Sequence, residues 1–284
     1  MTSSLQTVET DAPAKLNLFL EVIGKRSDGY HDVETVAHEI DLADKLTFSP
    51  AQELSLNVTG LPIPPGGENL VLRAARILQE MAGTKYGAAI TLHKNIPAGS
   101  GLGGGSSDAA ATLKALNSLW KLKMRQEDLL GIASRLGSDV PFFIHGKTAL
   151  CTGRGQIVSP LTNRNRLIFL LVMPALSVST AEIYKNLSLD LTCGRKDATL
   201  LIEGLARRDV TAVGRELFNR LEFVTVRLYP ELEHVRRRLE ELSPAGLAMT
   251  GSGSAFYCLA RTRSEAEGFL QKSGLKAIIV SSII

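Results

Sequence analysis

Cysteine is scarce in this chain. Cys151, Cys193 and Cys258 are the only three in 284 residues, far apart and odd in number. They build neither a disulfide framework nor a zinc spacing, so buried, inert thiols in a reducing compartment are expected. Strong charge of one sign is missing too. The formal net charge is +3, with Lys and Arg spread along the sequence, and no nucleic-acid partner is expected. The one basic run, Arg236-Arg237-Arg238, falls in a helical pattern beside Glu231, Glu233, Glu240 and Glu241 and reads as a solvated helix face. No apolar run reaches the roughly 18 residues of a membrane span. Met1 to Asp11 is polar, with no hydrophobic signal core. A soluble, cytoplasmic protein without a membrane partner is the expectation. Internal repeats and low-complexity tracts are absent as well.

What is present is ordinary globular material, 44% hydrophobic and 21% charged, enough for a substantial core. The length suggests about two domains on a prior of roughly 150 residues each. Lys15 to Val22 alternates Leu16, Leu18, Leu20 and Val22 with Lys15, Asn17, Phe19 and Glu21, which predicts a half-buried strand carrying Lys15 and Asn17 on one face. A turn at Lys25 to Gly29 follows, then strands at Val33 to Leu42, Lys45 to Ser49 and Leu54 to Thr59, and a loop from Pro62 to Gly67. Asn69 to Met81 has a helical stripe; Ala88 to Lys94 is a strand. Helices are predicted at Ala109 to Trp120 and Glu127 to Leu136.

Beyond these, Leu167 to Met173 is an apolar strand. Helical patterns cover Ala198 to Ala206, Val210 to Leu221 and Leu232 to Leu242. Strands at Gly246 to Met249, Ala255 to Ala260 and Ala277 to Ser281, with a helix at Ser264 to Lys272, complete an α+β pattern in both halves. The domain boundary is expected near residue 160, at Thr162 to Arg166, giving domains 1–160 and 161–284.

The strongest local signal is Pro97-Ala98-Gly99-Ser100-Gly101-Leu102-Gly103-Gly104-Gly105-Ser106-Ser107-Asp108, between a strand and an Ala-rich helix. Glycines let backbone N–H groups approach a ligand closely, and the helix that follows adds its own unsatisfied amides. Ser106, Ser107 and Asp108 are good N-cap types, and the hydroxyls also suit a phosphate or a metal ion. A strand, a Gly/Ser turn and a helix in this order predict a polyphosphate cradle; a flexible linker is the bland alternative. Gly99 to Gly104 also satisfies GxGxxG, but it does not open a βαβ unit. Protein-kinase HRD and DFG elements are absent. Gly146-Lys147-Thr148 imitates the end of a Walker A loop, yet Pro141 stands where its upstream glycine belongs.

With Pro13-Ala14-Lys15-Leu16-Asn17-Leu18 near the start and Thr250-Gly251-Ser252-Gly253-Ser254 near the end, the loop completes three motifs that resemble those of the GHMP kinases. Within that superfamily, Ala14 to Leu20, Asp28-Gly29-Tyr30-His31, Gly101 to Ala110 and Gly137-Ser138-Asp139-Val140-Pro141-Phe142-Phe143 resemble the branch that phosphorylates 4-diphosphocytidyl-2-C-methyl-D-erythritol. The resemblance spans nearly the whole chain. It implies a two-domain α+β fold, with a ribosomal-protein-like N-terminal ATP-binding domain and a ferredoxin-like C-terminal domain. ATP and Mg²⁺ are implied as cofactors, with the diphosphocytidyl acceptor as substrate and a monomer or weak homodimer as the state.

Carried over by position, the resemblance makes Lys15 and Asp139 the catalytic pair, and Pro97 to Ser107 with Lys94 and Asn69 the nucleotide site. Asn17, Tyr30, His31, Thr180, Tyr184, Gly251, Ser252 and Gly253 fall on the acceptor site. Taken alone, Lys15 is equally a strand-face lysine and Asp139 a turn residue. His31 is equally a surface histidine, and Gly251 to Gly253 a tight hairpin. Position 184 is Tyr where the family has Phe, and Ala37 stands near a position that is often aromatic. A straight strand from Lys15 to Gly24 carries the chain roughly 30 Å before Tyr30, so either the segment folds back or a long ligand spans the gap. Homoserine or mevalonate kinase chemistry, and a non-enzymatic binding protein of the same fold, are the rival readings.

Overall fold

The computed structural model describes residues 7–63, 68–163, 166–188 and 194–284. Part of the polar N-terminus, the Pro64 to Gly67 portion of the expected loop, Arg164 and Asn165 of the boundary stretch, and Cys193 lie outside the described residues. Strand β1 (Val8–Lys25) and strand β2 (His31–Ala51) are both longer than the sequence patterns predict. The two strands expected at Val33 to Leu42 and Lys45 to Ser49 are one. Asp44, in the gap between them, accepts from the backbone N–H groups of Asn95 and Ile96, and its own backbone stays in the sheet.

Strand β3 (Leu54–Gly60), helix α1 (Leu70–Met81), strand β4 (Gly87–Lys94), and helices α2 (Gly104–Leu119), α3 (Gln126–Leu136) and α4 (Val140–His145) follow. Next come β5 (Thr148–Thr152), β6 (Ile157–Pro160), β7 (Ile168–Val172), α5 (Thr180–Lys185), α6 (Thr199–Arg207), α7 (Val210–Arg215) and β8 (Phe218–Asn219). The chain ends with α8 (Arg220–Leu228), α9 (Glu231–Glu240), β9 (Gly246–Met249), β10 (Phe256–Ala260), α10 (Arg263–Ser273) and β11 (Ala277–Ser281). The helix expected over Val210 to Leu221 is therefore broken. Phe218 and Asn219 pair in parallel with Phe19 and Leu20 of β1, and the Asn219 side chain accepts from the Leu221 N–H to start α8.

One compact unit comprises Met1–Ala14, Leu42–Ala98 and Gly103–His145. In it β3 lies parallel to β4, and β4 is antiparallel to β2 with Leu46 opposite Leu92 and Phe48 opposite Ile90. Alternation along β4 buries Ala88, Ile90, Leu92 and Lys94 and turns Ala89, Thr91 and His93 outward. Helix α1 buries Val71, Ala74, Ala75 and Leu78, a stripe at helical spacing, and packs on α2. The small side chains Ala109, Ala110 and Ala111 bring α2 close to its neighbours α1 and α4. Trp120 seals the far end of α2, its ring N–H donating to the Gly87 carbonyl at 3.1 Å.

The other compact unit comprises Lys15–Asp41, Gly99–Leu102 and Gly146–Ile284. Here β2 pairs with β5 antiparallel, β5 with β6, and β1 with β8. A second sheet runs in the order β11-β7-β10-β9, all antiparallel. Leu170, Val172, Phe256 and Cys258 of that sheet form a core with Leu232 and Leu239 of α9 and Ala266 and Phe269 of α10. Cys151 and Cys258 are both buried, and burial pushes the Cys258 thiol up to about 12, which keeps it protonated. The two units are interleaved in sequence, the chain passing from one to the other within β1 and again within β2. They follow packing, whereas the 1–160 and 161–284 partition follows the motifs.

Strand β1 corrects the expectation of half burial. Lys15, Asn17, Phe19 and Glu21 are as buried as the leucines between them. Phe19 packs against the Phe218 ring at 5.7 Å, and Glu21 accepts two bonds from Arg220 at 2.7 and 2.6 Å. Burial works to raise the Glu21 pKa, but Arg220 and the N–H groups of Lys196 and Val22 outweigh it and hold the carboxyl below its ordinary value. On α9, Arg236, Arg237 and Arg238 pair with glutamates (Glu222 and Glu240, Glu233, and Glu241), the solvated face expected. Among the described residues no helix is long and apolar enough to cross a membrane.

Candidate active site

The glycine-rich loop enters α2 earlier than its sequence suggests. Glycine is a poor helix former, yet Gly104, Gly105 and Ser106 make the first helical turn, and Gly103 takes the N-cap position at φ 74°. That left-handed angle explains a glycine there. Ser106, Ser107 and Asp108 lie inside the helix, so the N-cap has no side chain and the first turn no acidic residue. The opening amides of a helix have no intrahelical partners. Here they are left uncapped, at the positive end of a 16-residue helix. The Ser107 hydroxyl is buried with no hydrogen-bond partner among the described residues.

Beneath this turn lies a charge cluster. The Lys94 ammonium bonds both Asp44 and Asp108, the latter at 2.8 Å, and all three side chains are buried. Burial pushes Asp108 up to about 7; the neighbouring Asp44 carboxylate adds to the rise, while Lys94 works against it. Asn69 caps α1, its side-chain oxygen accepting from the Val71 N–H at 2.9 Å. Asp139 sits in the turn that opens α4, with its side chain exposed. These residues all belong to the unit that contains α2.

Lys15 belongs to the other unit, together with Gly99 to Leu102. Although only 3% exposed, its ammonium donates to the Gly101 carbonyl at 2.7 Å and bonds the Asn17 side-chain oxygen. Its backbone N–H donates to the Leu102 carbonyl at 3.0 Å. Asn17 in turn donates to the Thr35 hydroxyl at 2.8 Å, and its backbone N–H donates to the Thr250 hydroxyl at 3.0 Å. The loop and the third motif touch directly. A Cβ on Gly101 would stand 2.0 Å from the Thr250 carbonyl, so glycine is required by the close approach. Gly99 and Ser100 accept from the Val178 and Ala255 N–H groups. Pro97 and Ala98 are half-buried at the strand side of the loop.

In the third motif, Asn219 donates to the Gly251 carbonyl at 2.8 Å, and Gly251 and Gly253 both hold positive φ. The Ser252 hydroxyl is 2.8 Å from that of Thr180. Tyr184, one turn further along α5, stacks on His31 with ring centroids 5.0 Å apart. Burial, then the charge of Lys25, lowers the His31 pKa below its ordinary value and favours the neutral ring. Tyr30 is exposed, with the Arg154 guanidinium 4.6 Å above its ring. The chain does fold back after the turn at 26–30. His31 stands on β2 four residues, or about 13 Å, before Thr35, whose hydroxyl bonds Asn17. Ala37 is buried opposite Ala149 of β5, in the sheet.

Sequence reasoning missed Asp44, Asp108, Thr35, Asn219 and Arg154. A signal existed for Asp44, which precedes Leu46 and Phe48 in the period-two series of a buried face, just as Lys94 follows Ile90 and Leu92. A charge in such a series predicts a buried partner. Thr35, Asn219 and Arg154 meet their partners only through tertiary folding, and no local pattern marks them.

Against known proteins, the model of the GHMP kinases N terminal domain matches residues 69–147 and that of the GHMP kinases C terminal matches residues 201–272. A 4-diphosphocytidyl-2-C-methyl-D-erythritol kinase of Pelotomaculum thermopropionicum is 44% identical over 250 residues, 87% of each chain. One of Exiguobacterium sibiricum is 40% identical over 263 residues, 92% of each. The crystal structure of a 4-(cytidine 5'-diphospho)-2C-methyl-D-erythritol kinase matches with a TM-score of 0.80 at 37% identity, over 97% of this chain and 99% of that one. A homoserine kinase from Cytophaga hutchinsonii matches at 0.77 and 20% identity, over 100% and 96% of the two chains, a likeness of fold alone.

Proposed function

The chain belongs to the GHMP kinase family, and from that membership we propose that it transfers the γ-phosphoryl group of ATP to the 2-hydroxyl of 4-diphosphocytidyl-2-C-methyl-D-erythritol. This is a step of the non-mevalonate route to isoprenoid precursors. The chain is a phosphotransferase that acts on an alcohol with ATP as donor. One observation carries the nucleotide half of the reading: the bare, glycine-built start of α2, whose amides lack both a side-chain cap and an acidic neighbour. The acceptor half rests on likeness to relatives over 87% to 92% of the chain.

In this reading the loop from Pro97 to Ser107 holds the phosphates through its backbone N–H groups, which begin at Ala98, with Asn69 and Lys94 near the nucleotide. Asp139 takes the proton of the acceptor hydroxyl as the new O–P bond forms and the bond to ADP breaks. The Lys15 ammonium, tethered to the Gly101 carbonyl, supplies positive charge to the phosphoryl group in transfer. His31, Tyr30 and Tyr184 receive the cytosine, and Asn17, Thr180 and Gly251 to Gly253 hold the rest of the acceptor. Mg²⁺ fits as the companion of ATP. It keeps most of its waters and needs few protein donors, and the orphaned Ser107 hydroxyl is one donor this loop can offer. When bound, the ion neutralises phosphate charge.

The motifs assign the nucleotide role to residues 1–160 and much of the acceptor role to 161–284, in a cytoplasmic monomer or weak homodimer. ADP release with the diphosphocytidyl acceptor, homoserine and mevalonate compared side by side tests the reading. Turnover of the first alone is expected; turnover of another alcohol without it overturns the acceptor assignment. Asp139→Ala should lower kcat by about a thousandfold while ATP still binds, and a near-normal kcat removes Asp139 from the reaction.

A further inference from the structure

Both stems of the glycine-rich loop are anchored to one buried carboxylate. On the strand side, Asp44 Oδ1 accepts from the N–H groups of Asn95 at 2.5 Å and Ile96 at 2.8 Å, and the Asn95 side chain donates to the Ala43 carbonyl. Its other oxygen, Oδ2, bonds the Lys94 ammonium, which reaches across to Asp108 in the second turn of α2. Gly104, the first residue of that helix, lies directly on the cluster. A Cβ built there would stand 2.9 Å from Ile96 Cγ2 and 3.3 Å from Lys94 Nζ. Asp44 is fully buried, and Lys94 is 5% exposed.

We propose that Asp44, Lys94 and Asp108 act as one positioning device that fixes the two stems of the loop and thereby sets its affinity for the nucleotide. Burying two carboxylates and an ammonium is costly, and apolar side chains of similar volume would hold a strand against a helix at least as well. What apolar packing does not supply is direction. The Asp44 oxygen aims the amides at 95 and 96, and Lys94 ties Asp108, so the turn that presents the uncapped amides is held at both ends. Lys94 then acts through the loop, its ammonium engaged by carboxylates on both sides. Asp108 Oδ1, buried and without a partner among the described residues, agrees with a cluster built around the ammonium.

This inference rests on the loop being the nucleotide cradle, and its test separates the two. Asp44→Asn, Asp108→Ala and the triple variant Asp44→Asn, Lys94→Met, Asp108→Asn are compared with the unaltered protein by steady-state kinetics and thermal unfolding. The single variants should raise KM for ATP by about tenfold, as expected for a lost charge-assisted hydrogen bond. The acceptor KM and kcat should stay within about threefold. The triple variant, relieved of buried charge, should regain unfolding temperature yet keep the weakened ATP KM. A purely structural cluster gives the opposite: lower unfolding temperature with ATP KM unchanged in the folded fraction, or both KM values moved alike. Either result overturns the proposal. Should Asp44→Asn fail to fold, Asp108→Ala alone decides by the same criterion. Failure of the unaltered protein to bind ATP would instead sink the cradle itself.

Discussion

Two buried lysines, Lys94 and Lys15, each hold a piece of the same glycine-rich segment, Lys94 at its stems and Lys15 at the Gly101 carbonyl within it. The Lys94 ammonium lies between the carboxylates of Asp44 and Asp108, where opposite charge fixes it in place. The bonds of Lys15 include a loop carbonyl and the neutral side chain of Asn17. Burial of a cation by itself therefore does not identify a catalytic lysine. A lysine locked among carboxylates is a strut. The one bonded to a loop carbonyl is, in the proposed function, the lysine that serves the phosphoryl group.

Charge removal should separate the two. Lys94→Met leaves two carboxylates buried without their counter-ion and should cost about 3–5 kcal/mol of stability, measured by denaturant unfolding. A loss below about 1 kcal/mol, the range of an exposed pair, would end the description of Lys94 as a strut. Lys15→Met should act on the reaction instead, lowering kcat by about 100- to 1000-fold, with a smaller shift in unfolding midpoint than Lys94→Met. Equal losses of stability in the two variants would erase the distinction.

A third buried base sharpens the contrast. His38 is fully buried, with Nδ1 2.7 Å from the Thr148 hydroxyl and Nε2 without a partner among the described residues. Burial depresses its pKa to about 4, against about 6.5 in the unfolded chain. Unfolded protein therefore binds more protons between those values. The contribution is fully present above about pH 6.5 and is lost as pH falls toward 4, by up to about 3 kcal/mol. Unfolding experiments across pH 4 to 7 should show the slope, and His38→Gln should flatten it. Smallest of all, Arg237→Ala removes an exposed pair with Glu233 and should change stability by under about 0.5 kcal/mol.

Much of this was legible in the sequence where the physics is local. Alternation in β4, the apolar stripe of α1 and the glycine run before α2 mark their elements, because periodicity reports burial directly. The start of α2 was not legible, since glycine propensity argues against a helix that tertiary packing on Ile96 and Lys94 imposes. The break at Phe218 and Asn219 was hidden for a similar reason: those residues pair with β1, some 200 positions away. Within the candidate site, the loop and Lys15 announced themselves by motif. Thr35 and Asn219 contribute through bonds to residues distant in sequence, which leave no local pattern.

The Asp44–Lys94 pair has one more consequence. It continues the cross-strand ladder in which Leu46 faces Leu92 and Phe48 faces Ile90. If β2 slid by one residue against β4, Asp44 would swing to the outer face and Lys94 would be stranded in the apolar interior. The pair thus works as an alignment key during folding, making any slipped pairing of these strands far costlier than hydrophobic contacts alone would. Because the same pair grips the stems of the loop, a molecule that has matched these strands correctly has also placed the stems of its glycine-rich turn.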